Sequence, residues 1–112
     1  MSDCLFCRII AGEIPSAKVY EDDTVFAFKD IDPQAPVHYL VIPKKHIPSA
    51  GAICAENAAD AAHCLEVVAL TAREQGITDF RVVSNCGEQA GQSVPHLHFH
   101  VLSGRDMTWP PG

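Results

Sequence analysis

The chain reads as an α+β fold with a five-stranded, mostly antiparallel sheet, one long helix and one short helix. Three observations carry that reading. Five short segments have strand patterning, and turn residues or loops separate them. One long stretch, residues 55–75, places apolar residues at three- and four-residue steps, as a helix covering a sheet requires. The 112-residue length, with no linker, repeat or low-complexity segment, predicts one domain over residues 1–112.

Residues 4–11 form a short apolar run that ends at Gly12, a residue suited to stopping a helix. Residues 17–21 read as the first strand and Asp22-Asp23 as a turn. Residues 24–29 are the second strand, with Val25 and Ala27 on one face and Phe26 and Phe28 on the other. Residues 30–36 carry two prolines and read as a loop. Residues 37–42 are the third strand, stopped by Pro43. In the long helix, Ala58, Ala61, Ala62, Leu65, Val68, Ala69 and Ala72 predict one buried face, and Gly76 the C-terminal cap. Residues 80–84 and 96–102 supply the last two strands, around a loop at 85–93 that holds two glycines. The tail, Trp109-Pro110-Pro111-Gly112, suits neither a helix nor a central strand. Five strands leave two edges, and an edge can pair with a second copy of the chain.

Composition narrows the function. Hydrophobic residues make up 47% and charged residues 20%, which excludes a disordered chain. No apolar run approaches the roughly 18 residues of a membrane span. Met1-Ser2-Asp3-Cys4 shows no basic region followed by an apolar stretch, so no secretory signal and a cytoplasmic location are expected. A net charge of −6, with few basic residues apart from Lys44-Lys45, argues against nucleic acid as the main partner. A small phosphate ligand stays compatible with that charge, because dipoles and imidazoles act locally. At this length the site is expected in a surface cleft or at a subunit boundary.

The cysteines are Cys4, Cys7, Cys54, Cys64 and Cys86, an odd count that argues against a disulfide framework. Cys54, Cys64 and Cys86 are expected to be small buried residues. Cys4 and Cys7 have the spacing of zinc ligands, with two reduced thiols on a short helix as the alternative.

The strongest chemical signal is His96-Leu97-His98-Phe99-His100-Val101-Leu102. Successive side chains of a strand switch faces, so three imidazoles share one face while Leu97, Phe99 and Val101 share the other. The apolar face can pack on the long helix and leave the imidazoles facing a cleft. Three readings fit: a solvent-facing strand, a metal site, or nucleophilic catalysis at phosphorus. Imidazole is mostly neutral at cytosolic pH from its ordinary value near 6.5, and a neutral ring can form a phosphorus–nitrogen bond that water later cleaves. Gly91-Gln92-Ser93 runs straight into this strand and can offer backbone N–H groups and a hydroxyl to phosphate oxygens, which favours phosphoryl or nucleotidyl transfer.

The same segment resembles the His-φ-His-φ-His-φ-φ signature (φ apolar) of the histidine-triad, or HIT, superfamily. Glu13-Ile14-Pro15, Tyr20-Glu21-Asp22-Asp23, residues 30–38, residues 41–46, Gly91-Gln92-Ser93-Val94 and the Trp109-Pro110-Pro111-Gly112 tail resemble its Hint branch, in order over essentially the whole chain. The resemblance implies a homodimer with a continuous ten-stranded sheet. It also implies binding of purine nucleoside monophosphates and hydrolysis of nucleoside 5′-phosphoramidates, an adenosine 5′-monophosphoramidase type of activity. By the same resemblance His98 matches the nucleophile, His100 the histidine that hydrogen-bonds the phosphate, and His38 an upstream histidine supporting the site. Ser93, Gln92, Gly91 and Asn85 match contacts to the phosphate or leaving group. Asp30 matches the carboxylate on the ribose hydroxyls, and a turn cap is its alternative reading. Leu5, Phe6, Ile9, Phe28 and Ile31 match the apolar base pocket, although their periodicity alone suggests core. Trp109 matches a tail residue that lies near the partner subunit's site. Pro95 departs from the Hint pattern, which often has an aromatic residue there.

Some bacterial HIT proteins and the related galactose-1-phosphate uridylyltransferases resemble the chain at the cysteine pair. They complete a zinc site with two histidines, at positions matching His46 and His96. The resemblance thus implies a closed Cys₂His₂ zinc site with a structural role, although animal Hint proteins commonly lack the cysteines. Two functional alternatives stand: a dinucleoside polyphosphate hydrolase or nucleotidyltransferase of the same superfamily, disfavoured by the short chain and the tail, and a nucleotide-binding scaffold or regulatory protein.

Overall fold

The chain is described here from a computed structural model covering residues 3–112; Met1 and Ser2, part of the opening read for a secretory signal, lie outside the described residues. The elements in chain order are α1 (Leu5–Ile10), β1 (Lys18–Glu21), β2 (Val25–Lys29), β3 (Val37–Pro43), α2 (Ala58–Glu74), β4 (Phe80–Val83) and β5 (Phe99–Ser103), with short 3₁₀ turns at Ala50–Ala52 and Glu88–Ala90. The sheet order is β1-β2-β3-β5-β4, and every neighbouring pair is antiparallel. No helix among the described residues is long and apolar enough to cross a membrane.

Both helices end as their sequences predict. Gly12 and Gly76 adopt positive φ of 81° and 70°, the left-handed conformation that glycine tolerates best. Behind each, the chain folds back onto the last turn: Glu13 N–H donates to Arg8 O, and Ile77 N–H to Ala72 O, the paired closure of a Schellman cap.

Strand alternation sorts the core onto the two faces of the sheet. Val25, Ala27, Tyr39, Val41, Phe99 and Val101, with Leu97 just ahead of β5, point to α2 and pack with Ala61, Cys64, Val67 and Val68. Phe26, Phe28, Leu40 and Ile42 point the other way and pack with Cys4, Phe6 and Ile9 of the α1 region. The first layer carries the stability of a covered sheet. The second is thinner, and its short helix leaves room for a cleft.

Four boundaries or burial expectations need correction. The long helix begins at Ala58 rather than residue 55, because residues 54–57 close a turn first: Cys54 N–H donates to Asn57 Oδ1, and Ala58 N–H to Cys54 O. Its buried stripe is Ala61, Cys64, Val67, Val68, Thr71 and Ala72, while Ala58, Ala62 and Leu65 are exposed. The fifth strand ladder begins at Phe99, opposite Val41. Ahead of it, His96 N–H donates to Val94 O and Leu97 N–H to Ile47 O, so 96–98 is held by neighbouring loops instead of by β3. Of the three cysteines expected inside, Cys64 is buried but Cys54 and Cys86 are exposed. Both sit in connections, Cys54 in the turn before α2 and Cys86 after β4, where its sulfur meets the Ser49 hydroxyl at 3.4 Å.

The two sheet edges differ. β1 carries Lys18 and Glu21, both exposed, and a register break between Lys18 and Tyr20. Charges and a bulge are devices that discourage pairing at an edge. β4 instead exposes Phe80 and Val82.

Candidate functional site

Of the three imidazoles expected to face one cleft, His98 and His100 do so, whereas His96 lies in a bend ahead of β5, fully buried against the cysteine pair; Leu97 (1% exposed) and Phe99 (8%) lie in the core under α2. The rings of His98 and His100 are 5.0 Å apart, centroid to centroid. Phe6 of α1 stands edge-on to His98, at 5.1 Å and 86°.

Hydrogen-bond partners fix which nitrogen of each ring carries the proton. His98 Nδ1 lies 2.7 Å from His96 O. A carbonyl only accepts, so Nδ1 must be the N–H, and in the neutral ring Nε2 keeps its lone pair. His38 Nδ1 accepts from the Gln34 N–H at 3.0 Å, so His38 Nε2 is its N–H. That N–H donates to His100 Nδ1 at 2.9 Å, which makes His100 Nε2 the remaining N–H. Two nitrogens of opposite character result, an acceptor on His98 and a donor on His100. No buried side-chain nitrogen or oxygen among the described residues lacks a partner, so these two ring atoms reach solvent.

Both rings line a cleft of about 260 Å³ with Leu5, Phe6, Ile9, Phe28, Lys29, Asp30, Ile31, Leu40, Ser93 and Val94. His38 lies behind His100 and is buried. Burial, reinforced by the neighbouring His98 and His38 and opposed by Asp30, pushes the His100 imidazole down to about 4. It is therefore neutral at pH 7 and can accept from His38 while donating through Nε2.

Of the expected ligand contacts, Leu5, Phe6, Ile9, Phe28, Asp30, Ile31 and Ser93 meet at this cleft. Asp30 caps a turn and also stands at the cleft. Its Oδ1 caps a turn by accepting the Asp32 N–H at 2.8 Å, and its Oδ2 faces His38 Nε2 at 3.4 Å beside the cleft. Asn85, Gly91, Gln92 and Trp109 are not in the lining. The Gln92 side chain is spent on the loop, accepting from Gly87 N–H and donating to Pro48 O and Val94 O. Asn85 and Trp109 share a separate groove with Arg81, Val82, Val83, Pro111 and Gly112. Lys29, Leu40 and Val94 were missed by sequence reasoning. Leu40 had a usable signal, since it alternates with His38 along β3 and sits opposite His100.

The cysteine pair meets two histidines. Cys4, Cys7, His46 and His96 bring one ligand atom each to within 4.8 Å of one another. His96 Nε2 donates to Pro43 O at 2.8 Å, which leaves its Nδ1 lone pair toward the sulfurs. His96 Nδ1 lies 3.2 Å from His46 Nδ1, 3.3 Å from Cys4 Sγ and 3.6 Å from Cys7 Sγ, and Cys7 Sγ lies 3.4 Å from His46 Nδ1. A zinc tetrahedron with its usual bond lengths has edges of about 3.4 Å between nitrogens and about 3.6 Å between nitrogen and sulfur. The four groups fit such an ion in number, type and spacing. Burial, helped by His46 and His98 and opposed by Pro43 O, lowers the His96 imidazole to about 4, so the ring is neutral as a ligand must be. Asp30, His38 and His100 also approach ligand spacing, but their 2.9 Å nitrogen–nitrogen contact is a hydrogen bond that the two tautomers already satisfy.

The chain is similar to known proteins over nearly its whole length. The model of the HIT domain family matches residues 11–107. An uncharacterized HIT-like protein of Synechocystis is 51% identical over 98% of this chain and 97% of its own length. A 14 kDa zinc-binding protein of Brassica juncea is 47% identical over 98% of this chain and all of its own. The crystal structure of a HIT family hydrolase from Legionella pneumophila superposes with a TM-score of 0.94 at 45% identity, covering 98% of this chain and 100% of the other.

Proposed function

The chain belongs to the HIT domain family, and from that premise we propose that it is a nucleoside 5′-phosphoramidase of the Hint branch, a single HIT domain acting through a nucleotidyl-histidine. The observation that carries this reading is the pair of opposed ring nitrogens at one cleft: the lone pair of His98 Nε2 beside the N–H of His100.

The purine of a nucleoside monophosphate unit would lie among Leu5, Phe6, Ile9, Phe28 and Ile31, with the ribose hydroxyls on Asp30. His98 Nε2 attacks the α-phosphorus, forming a phosphorus–nitrogen bond as the bond to the amine breaks. His100 Nε2–H donates to a non-bridging phosphate oxygen, and His38 holds that tautomer. The amine leaves with a proton from solvent water passed through the Ser93 hydroxyl, and the water that attacks in the second step returns one proton to solvent. Water then attacks the phosphorus, freeing the nucleotide and restoring neutral His98.

Zinc held by Cys4, Cys7, His46 and His96 would fill all four positions of a tetrahedron, so its contribution is structural, tying α1 to the sheet. The printed name of the Brassica relative supports this cofactor. The exposed Phe80 and Val82 on the β4 edge, where the one charged residue, Arg81, is bonded to Thr108 O, support a homodimer closing a ten-stranded sheet there. An odd count of five cysteines favours a reducing, cytoplasmic location.

A panel of substrates tests the activity. Adenosine and guanosine phosphoramidates should show far higher kcat/KM than a dinucleoside polyphosphate, and the reverse order would favour the other hydrolase reading. His98→Ala should abolish turnover while nucleotide binding is largely kept, and retained hydrolysis would falsify the assignment. Metal analysis of protein purified without chelator should give near one zinc per subunit, and none would remove the cofactor.

A further inference from the structure

We propose that Gln92 is a positioning residue for the departure of the amine: its side-chain amide closes a ring over Ser93 and holds the Ser93 hydroxyl at the cleft, without itself touching substrate. The proposal rests on reading the chain as a phosphoramidase whose amine is protonated through Ser93. It replaces the phosphate or leaving-group contact that the family resemblance implies for Gln92.

Both polar atoms of this amide are committed. Oε1 accepts the Gly87 N–H at 2.9 Å, and Nε2 donates to Pro48 O at 2.8 Å and to Val94 O at 3.1 Å. An amide carries two N–H groups, so both are used. The opposite orientation would set Oε1 against two carbonyl oxygens and the NH₂ against an N–H, so the partners fix which end is which. The main chain of Gln92 adds a further bond, its N–H to Gly87 O at 3.0 Å. Gly87 turns both of its backbone groups to this one residue at a φ of 91°, where a side chain would be strained.

Two of these bonds bear on Ser93. The bond to Val94 O runs from the residue before Ser93 to the carbonyl of the residue after it, and so encloses the Ser93 backbone. The bond to Pro48 O ties that ring to the segment beyond β3, where Ile47 O accepts the Leu97 N–H. Among the described residues Ser93 makes no hydrogen bond of its own, so its neighbours set its direction. Truncating the amide leaves the Gln92 N–H bond and the packing of Val94 on the Phe6 layer in place. The loop then keeps its course, and what is lost is the ring over Ser93. A hydroxyl turned away from the amine passes it no proton. The purine cleft and the His100 N–H are untouched, so the loss falls on kcat rather than on binding.

The test is a double-mutant cycle of Gln92→Ala and Ser93→Ala. It is read as kcat on two substrates, an adenosine phosphoramidate of an alkylamine and a nitrophenyl ester of adenosine monophosphate, with the Kd for adenosine monophosphate beside them. An alkylamine needs a proton to leave, and nitrophenolate does not. With the phosphoramidate each single substitution should lower kcat about tenfold, the scale of one lost hydrogen bond, and the double substitution should fall no further. With the ester, and in the Kd, all three variants should stay within about twofold of the natural chain. Effects that multiply in the double variant would overturn the proposal, because Gln92 would then act independently of Ser93. An equal loss on the ester, or a Kd raised tenfold, would overturn it by making Gln92 a substrate contact. Gln92→Met keeps the side-chain length and takes the place of Gln92→Ala if that variant unfolds. In it the Gly87 amide hydrogen should exchange with solvent about tenfold faster than in the natural chain, and an unchanged rate overturns the brace itself. Hydrolysis of the ester but of no phosphoramidate refutes the proposed activity and this proposal with it. A phosphoramidate slowed by Ser93→Ala alone keeps the activity and refutes only the role of Gln92.

Discussion

Acid should destabilise the fold through His100, and by an amount that can be worked out. Its imidazole is pushed down to about 4 by burial beside His98 and His38, against an ordinary value of 6.5. Between those limits the unfolded chain binds a proton that the folded chain refuses, so stability falls as pH drops from about 6.5 to about 4 and levels below that. At 1.36 kcal/mol per unit the group contributes about 3 kcal/mol, a large share of the roughly 5–15 kcal/mol that holds a domain together. His63 does not act in this window. Its partners Glu66 and Asp22 raise its pKa, so its contribution is complete below 6.5 and is lost only as pH rises above that. His96 is also lowered to about 4 and acts with the same sign, so the contrast must isolate His100. The assay is urea unfolding of the natural chain and of His100→Gln across this pH range. The difference between the two curves should change by about 3 kcal/mol from neutral pH to the acid limit. Parallel profiles would show that the fold does not lower the His100 pKa, and would remove the basis for its accepting the His38 N–H at Nδ1.

Two further outcomes follow from packing. Phe6→Ala removes a buried ring that touches Phe28, His96 and His98, so calorimetry should show a loss of about 3–5 kcal/mol, and kcat/KM should fall with it; an unchanged melting temperature would contradict the described core. If the proposed homodimer forms at the β4 edge, sedimentation should show the natural chain as a dimer and Val82→Lys, which places a second charge there, as a monomer; a dimer intact in the variant would move the interface elsewhere.

The parts of this molecule legible in the sequence are those where one pattern has one physical reading. Val25 and Ala27 against Phe26 and Phe28, and Leu97 and Phe99 against the triad, sort onto opposite faces because a strand has a period of two. The glycine stops were legible because few other residues take positive φ there. The buried face of α2 was not. Ala58, Ala62, Leu65 and Ala69 form a stripe at helical spacing beside the stripe of Ala61, Cys64, Val68 and Ala72, and alanine commits to neither water nor core. Nor was the exposure of Cys54 and Cys86, since a thiol's position depends on the loop that carries it. Within the site, residue types pointed to the imidazoles but not to their proton positions. Those follow from partners distant in sequence or on the backbone: Pro43 O for His96, His96 O for His98, and the Gln34 N–H by way of His38 for His100. Gln92 shows the converse, a side chain of the right type placed where the loop needs its amide.

The claim on which the mechanism turns is that one ring nitrogen, His98 Nε2, forms a bond to phosphorus. Rapid acid-free quenching of the enzyme with a phosphoramidate labelled in the nucleotide, followed by peptide mapping, measures it directly. Nucleotide attached to His98 during turnover, and absent in His98→Ala, is the expected result. Nucleotide attached to His100 instead, or full turnover with the natural chain never labelled, would contradict it.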